Sequence, residues 1–233
     1  MKVYKYTNPK NQTKNYTQWE AGITRYIIYP REDGRLCTSG WYHGYVDPRI
    51  AQLLSPAHLM DDVYDHGKVL WVMESGGVHH FDRLCKMGCT SLMPIKRIDE
   101  VSMSDMQKIQ IMLKCMMLVE KNISFRVWAW LWTKGFTAKW ISKLFRSMSN
   151  RAIQGTRKAD AVYSCYKVCD YFKSKGRLYN STIADVIISC MYLMVVSVGE
   201  MDLSLYNDME TNGWPLDLRK ICDECGVKLP EDL

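Results

Sequence analysis

No apolar run in the 233-residue chain approaches the roughly 20 residues that a membrane-spanning helix needs. The opening MKVYKYTNPKNQTK also lacks the apolar stretch of a secretory signal, so the expectation is a protein that stays in the cytoplasm where it is made. Disulfide chemistry lacks its usual pattern too: nine cysteines at irregular spacing leave one over and fit reduced thiols in a core better than a staple framework. Cys222 and Cys225 in CDEC have a metal-like spacing, but no second pair of ligands stands nearby, and the reading is buried thiols without a metal. Also missing are a Gly-rich phosphate loop, a Ser/His/Asp order in recognisable context, a zinc-protease helix, any internal repeat and any low-complexity tract. These absences remove the commonest enzyme signatures and leave a globular chain, 47% apolar and 24% charged.

Acidic residues are scarce in one region only. Residues 101–199 hold 15 Lys and Arg against five Asp and Glu, whereas residues 200–233 hold three against nine. A basic middle beside an acidic tail points to an anionic partner, or to middle and tail meeting in a homo-oligomer or within one chain.

The pattern divides the chain near 99–102 into a sheet-containing module, 1–100, and a helical bundle, 101–233, an α+β protein with a small mixed or antiparallel sheet. In the first part, strands are expected over Lys2–Thr7, over Ile23–Tyr29 up to Pro30, over Leu36–Tyr45, over Lys68–Glu74, and over Ser91–Ile98 with Pro94 favouring an edge. Gly76-Gly77 reads as a turn. Asp47-Pro48 and Ser55-Pro56 are helix starts, a capping side chain followed by a residue whose missing N–H had no partner to lose. From Ser102 the period lengthens to about 3.6. Ser104 with Gln107 forms a capping box, and helices are expected over 104–120, 125–134, 138–153, 157–175 and 182–198, with two short ones around 203–209 and 215–225.

The densest run of unusual residues is Gly34 to His58, GRLCTSGWYHGYVDPRIAQLLSPAH. On a strand, Trp41, His43 and Tyr45 share one face. Aromatic rings sandwich bases, His43 gives or takes a hydrogen bond, and Arg49 beside a helix N-terminus suits a phosphate. Lys5 and Lys86 are the cations expected to complete this pocket. The enzyme alternative uses the same pocket with His43 and Glu74 as reacting groups. His79-His80, pointing to opposite faces if extended, is poor geometry for joint metal binding. A second candidate is a cationic belt, with Lys139, Lys143, Arg146, Arg151, Arg157 and Lys158 interleaved with aromatics, as in proteins that grip nucleic acid. A third is VWAWLW: alternate helical residues lie about 200° apart, so Trp128, Trp130 and Trp132 cannot all face one core.

The stretches YKYT, Gln18-Trp19, LCTSGWYHGYVDP, LLSPAH, LWVME and KMGCTSLMPIKRI resemble a group of uncharacterised bacteriophage accessory proteins that carry a similar N-terminal module before a variable helical region. The strand, Trp-bearing segment, Gly-Trp-x-His strand, helix and strand layout is also similar to small modules of the ADP-ribosyltransferase fold. That second likeness supplies Glu74 but not the arginine-serine-glutamate pattern of such enzymes. The phage resemblance implies a protein of the host cell's cytoplasm that counters host defence. It would sequester a phosphate-bearing, nucleotide-like signal, or block a host defence protein or nucleic-acid complex through its basic helices. No cofactor, metal or membrane is called for.

Overall fold

A computed structural model describes residues 1–13, 17–29, 40–55, 67–81, 86–136, 156–176, 178, 180–197 and 217–229. The chain divides into a sheet unit, Met1–Ser102, which also takes in Lys228 and Leu229, and a helical unit, Met103–Val227.

The sheet unit is built on one long hairpin. Its strands, β6 (Val69–Phe81) and β7 (Lys86–Ile98), pair over nearly their whole length. The other strands are β1 (Lys2–Thr7), β2 (Gln12–Thr13), β3 (Thr17–Gln18), β4 (Arg25–Tyr26) and β5 (Tyr42–Tyr45). Among the described residues every pairing is antiparallel. β1 pairs with β6 on one side and with β5 on the other, and β5 pairs with β7, which pairs with β6. The four strands therefore close into a ring, leaving β4 as an added edge on β7. Closure encloses a core of Val3, Trp19, Trp71, Met73, Met87, Cys89 and Leu92. Gly44 is required there, because a Cβ on it would come within 2.9 Å of Val3.

The expected turn at Gly76-Gly77 does not form; the strand runs through it. Both glycines sit in β6 between Ser75 and the register shift that ends at His79, and Gly77 takes φ 72°, so they make a bulge that bends the strand. Pro94 lies at a second irregularity, where Val72 faces Lys96 and Met73 faces Pro94, a place where a missing N–H costs no ladder bond. The expected strand over Ile23–Tyr29 shrinks to Arg25–Tyr26, with Tyr26, Ile28 and Tyr29 exposed. Residues 30–39 and 56–66, with the beginning of the expected third strand and the helix at Pro56, lie outside the described residues.

Helix α1 (Pro48–Leu54) starts as its sequence dictates, with the Asp47 side chain accepting from the Arg49 amide and Pro48 in the first turn. All seven of its residues are buried.

The helical unit contains α2 (Asp105–Val119), α3 (Ile123–Thr133), α4 (Arg157–Lys175), α5 (Asn180–Ser197) and α6 (Leu218–Glu224). The Ser104–Gln107 capping box is present in full. Asn122 caps α3, one turn earlier than the expected start at 125, because its side-chain oxygen accepts from the Phe125 amide. Gly176 ends α4 in the left-handed conformation, φ 63°. The expected helices over 138–153 and 203–209 fall outside the described residues. Trp128 and Trp132, four apart, are buried, whereas Trp130 is 51% exposed, as the helical period requires. Trp128 packs on Tyr166 of α4 with ring centroids 4.2 Å apart, and Phe125 meets the same ring edge-on. Among the described residues no helix is long and apolar enough to cross a membrane.

Candidate functional site

Strand alternation and register decide which side chains of the sheet unit can meet. Tyr45 lies opposite Tyr4 and Lys86, and His43 opposite Gly88, so His43, Tyr45 and Lys86 share the outer face of the ring. Trp41 joins them, stacked on His80 at 5.8 Å. His79 turns the other way, its Nε2 3.1 Å from Ser75 Oγ, so the two histidines diverge. The outer face is closed rather than open: Trp41, Tyr45 and Lys86 are buried, and His43 is half-buried. α1 packs against β1 and β5. Arg49 is buried with Asp47, whose carboxylate takes its Nε at 3.1 Å and its Nη2 at 2.9 Å. A guanidinium so engaged has its charge balanced inside the fold.

Lys5 stands apart from this group. It lies on the strand face of Val3, opposite Trp71, and therefore inside the ring. Its Nζ donates to the His43 carbonyl at 2.6 Å and sits 5.7 Å from the Trp19 ring centroid. Burial, with the nearby Lys86 charge adding to it, lowers the Lys5 ammonium to a pKa of about 8. Beside it burial pushes the Cys89 thiol up to about 11.

The pair proposed for the enzyme alternative is separated. Lys2 faces Glu74 across β1 and β6, while Tyr4 faces both Val72 and Tyr45. Glu74 and His43 thus lie two residues to opposite sides of the Tyr4 row, about 13 Å apart along the strands. Glu74 is exposed.

A cleft of about 580 Å³ opens elsewhere on the unit, lined by Asn11, Gln18, Trp19, Trp71, Lys96 and Arg97, with Glu20 and Ala21 at its side. Its volume falls within the roughly 300–1,000 Å³ of small-molecule sites. The two tryptophans are anchored through their indole N–H groups, Trp19 to Thr13 Oγ1 at 3.0 Å and Trp71 to Thr7 Oγ1 at 3.3 Å. Cations surround both rings. Lys5 and Arg25 lie 5.7 and 6.0 Å from the Trp19 centroid, and the Arg97 guanidinium lies 5.2 Å from that of Trp71. Among the described residues, none of Lys5, Arg25 and Arg97 has a carboxylate partner.

Sequence reasoning did not select Trp19, Arg25, Trp71, Lys96 or Arg97 for this site. Their signal was present in Gln18-Trp19, LWVME and the Lys-Arg of PIKRI, but only the β1–β6–β7 register brings Lys5, Trp71 and Arg97 into one row.

In the helical unit, Arg157 lies over the Tyr192 ring at 4.1 Å and Lys158 pairs with Glu120 at 3.5 Å. Lys139, Lys143, Arg146 and Arg151 lie outside the described residues. Seven described cysteines are free thiols, six of them buried. Burial raises Cys115, Cys165 and Cys169 far above the usual thiol range and takes Cys190 to about 12, which keeps them neutral packing groups. Among the described residues no three His, Cys, Asp or Glu side chains are grouped to hold a metal ion.

Compared with known proteins, the chain matches no family model, no curated protein and no solved structure.

Proposed function

We propose that this protein binds and sequesters a phosphate-bearing, nucleotide-like small molecule in the cleft between Trp19 and Trp71. Through its resemblance to phage accessory proteins, this reading makes it a counter-defence protein that removes a host signal from circulation. The supporting observation is a cleft of ligand size lined by Lys96 and Arg97, with Lys5 and Arg25 held against the adjoining Trp19 ring; among the described residues Lys5, Arg25 and Arg97 meet no carboxylate. Trp19 and Trp71 are buried, so the rings act by holding the cations in place, and the cations attract an anion. The shared charge of the outer face, where Arg49 is already matched by Asp47, favours the cleft over the aromatic strand as the place of binding. Separation of His43 from Glu74 favours holding a ligand over cleaving it.

The test is to incubate the protein with a bacterial small-molecule extract, wash it, denature it and identify what is released. An intact phosphate-bearing nucleotide is expected from the wild type, with at least about tenfold less from a variant carrying Arg25→Gln and Lys96→Gln, a loss of the size that charged hydrogen bonds carry. Release of nothing would overturn the reading in favour of a macromolecular partner for the basic helices. Release of a chemically altered nucleotide would overturn it in favour of an enzyme.

A further inference from the structure

Helix α3 is apolar on two opposite faces. Phe125, Trp128, Ala129 and Trp132 are buried in the helical unit. Half a turn round, Ile123, Val127 and Trp130, spaced four and three apart, form a stripe whose members are 78%, 44% and 51% exposed. A helix apolar on every side is ordinarily a buried one, so this stripe calls for a cover. Charge narrows what the cover can be. Residues 121–136 contain no Asp or Glu, and among the described residues none of Lys121, Arg126 and Lys134 has an ion pair. Glu120, the acid next in sequence, is engaged already: its Oε2 lies 3.5 Å from Lys158 Nζ, and its Oε1 accepts the Asn122 amide at 2.7 Å.

Two copies of α3 laid together would set Arg126 and Lys134 against like charges, which disfavours a symmetric contact. An apolar occupant with acidic flanks suits the face, and the chain carries one. Residues 200–210, EMDLSLYNDME, lie outside the described residues and hold four acids and no Lys or Arg. On a helix, Met201, Leu205 and Met209, four apart, would share one side with Asp202 and Asp208 flanking them. The chain also leaves the bundle at the right end. α5 runs parallel to α2, since Lys108 meets Asn180 at 3.2 Å and Met116 meets Cys190 at 3.6 Å. α3 runs back the other way, with Gln110 of α2 donating to the Thr133 carbonyl at 3.1 Å. Ser197, which ends α5, and Ile123, which starts α3, therefore lie at the same end of the helical unit.

We propose that residues 200–210 dock on the Ile123–Val127–Trp130 face of α3 in the same chain. Met201 to Met209 span about 12 Å as a helix, against about 10 Å from Ile123 to Trp130, so the two stripes match in length. Apolar contact supplies the stability. Asp202 and Asp208 against Arg126 and Lys134 select the occupant, because exposed ion pairs add little energy while like charges penalise a wrong partner. The contact is independent of the cleft in the sheet unit.

Carbodiimide cross-linking of the whole protein, as an equal mixture of ordinary and nitrogen-15-labelled copies, tests this. Links are expected from Lys121 or Lys134 to acids of 200–210, within copies of one isotope. Links between isotopes would give the face to the tail of a second copy and overturn the proposal, as would the absence of any link to 200–210. A Glu-directed protease supplies the second readout through cleavage at Glu200 and Glu210. Val127→Asp places a charge in the exposed stripe, where the fold should tolerate it, as a thermal melt checks. It should speed that cleavage about tenfold or more, and Leu205→Ser with Met209→Ser should do the same from the other side of the contact. Arg126→Glu with Lys134→Glu should also expose the tail, and adding Asp202→Lys with Asp208→Lys should restore protection. Cleavage as fast in the wild type as in these variants would overturn the docking. So would sedimentation of the wild type with phosphatidylserine vesicles that Val127→Asp abolishes, since the stripe would then stand open to lipid.

Discussion

The two faces of the N-terminal ring carry similar residues and put them to different uses. On the outer face, Trp41, His43, Tyr45 and Lys86 lie together, and on α1, packed against β1 and β5, the Arg49 guanidinium meets the buried carboxylate of Asp47. On the inner face and at its mouth, Trp19 and Trp71 are flanked by Lys5, Arg25 and Arg97, which meet rings and neutral oxygens instead. Aromatic residues beside cations are therefore not in themselves a binding signature. What separates the faces is whether the fold has already balanced the charge. A matched pair stabilises the protein, whereas a cation left facing neutral groups retains its affinity for an anion.

The sharpest break of this comparison comes from Arg49. Arg49→Ala leaves the Asp47 carboxylate buried without its partner, and the expected cost is about 3–5 kcal/mol of unfolding free energy in a urea melt. Combining Asp47→Asn with Arg49→Met should recover much of that loss, because the asparagine oxygen still caps α1 while no charge is left buried. At a temperature where each variant is folded, retention of the ligand should equal that of the wild type. Loss of retention at full folding would return the site to the outer face.

The inner face is probed through Lys5, whose ammonium the fold disfavours. Its pKa falls from 10.5 to about 8, first through burial and then through Lys86. Between those values the unfolded chain holds the proton more firmly than the folded one, so this group's contribution to stability rises with pH across that window. Below pH 8 both states are protonated and the whole penalty stands. Lys5→Met removes the penalty. The variant should be more stable than the wild type below pH 8, by up to about 3 kcal/mol, and the gap should close as pH climbs toward 10.5. Paired denaturant melts along that range measure it, and the subtraction cancels the groups that the Lys5 charge does not reach; Cys89 is not among them, because Lys5 lowers its thiol and the variant loses that effect. A variant less stable than the wild type below pH 8 would show that Lys5 is well satisfied and belongs with the matched charges of the outer face.

Much of the local structure could be read from the residues themselves. Asp47-Pro48, the Ser104–Gln107 box and Gly176 act within one turn of chain, and each marks the helix end expected of it. Alternation likewise put Trp41, His43 and Tyr45 on one face and sent His79 and His80 apart. What could not be read depended on partners far along the chain. Gly76-Gly77 has the composition of a turn, and only the continuous β7 ladder holds it as a bulge. Lys5 was grouped with the outer aromatics because its strand face is fixed by pairing with β6, more than 60 residues away. The burial of Arg49 followed from the packing of α1 on β1 and β5, and the cleft from a ring closure that no local pattern encodes.

The smallest expected effect sharpens the comparison on its chemical side. Glu74 is exposed at the Lys2 end of the β1–β6 ladder, lies outside the cleft lining, and is remote from His43. A solvated carboxylate in such a place is held by few contacts, so Glu74→Gln should change unfolding free energy by no more than about 0.5 kcal/mol. The ligand it releases on denaturation should match the wild type's in identity and amount, because no reaction depends on the carboxylate. The opposite outcome is equally readable: an altered nucleotide from the wild type and an intact one from Glu74→Gln. That result would mean that the strand-end acid reaches a bound substrate, and the ring would then be a catalytic scaffold rather than a trap.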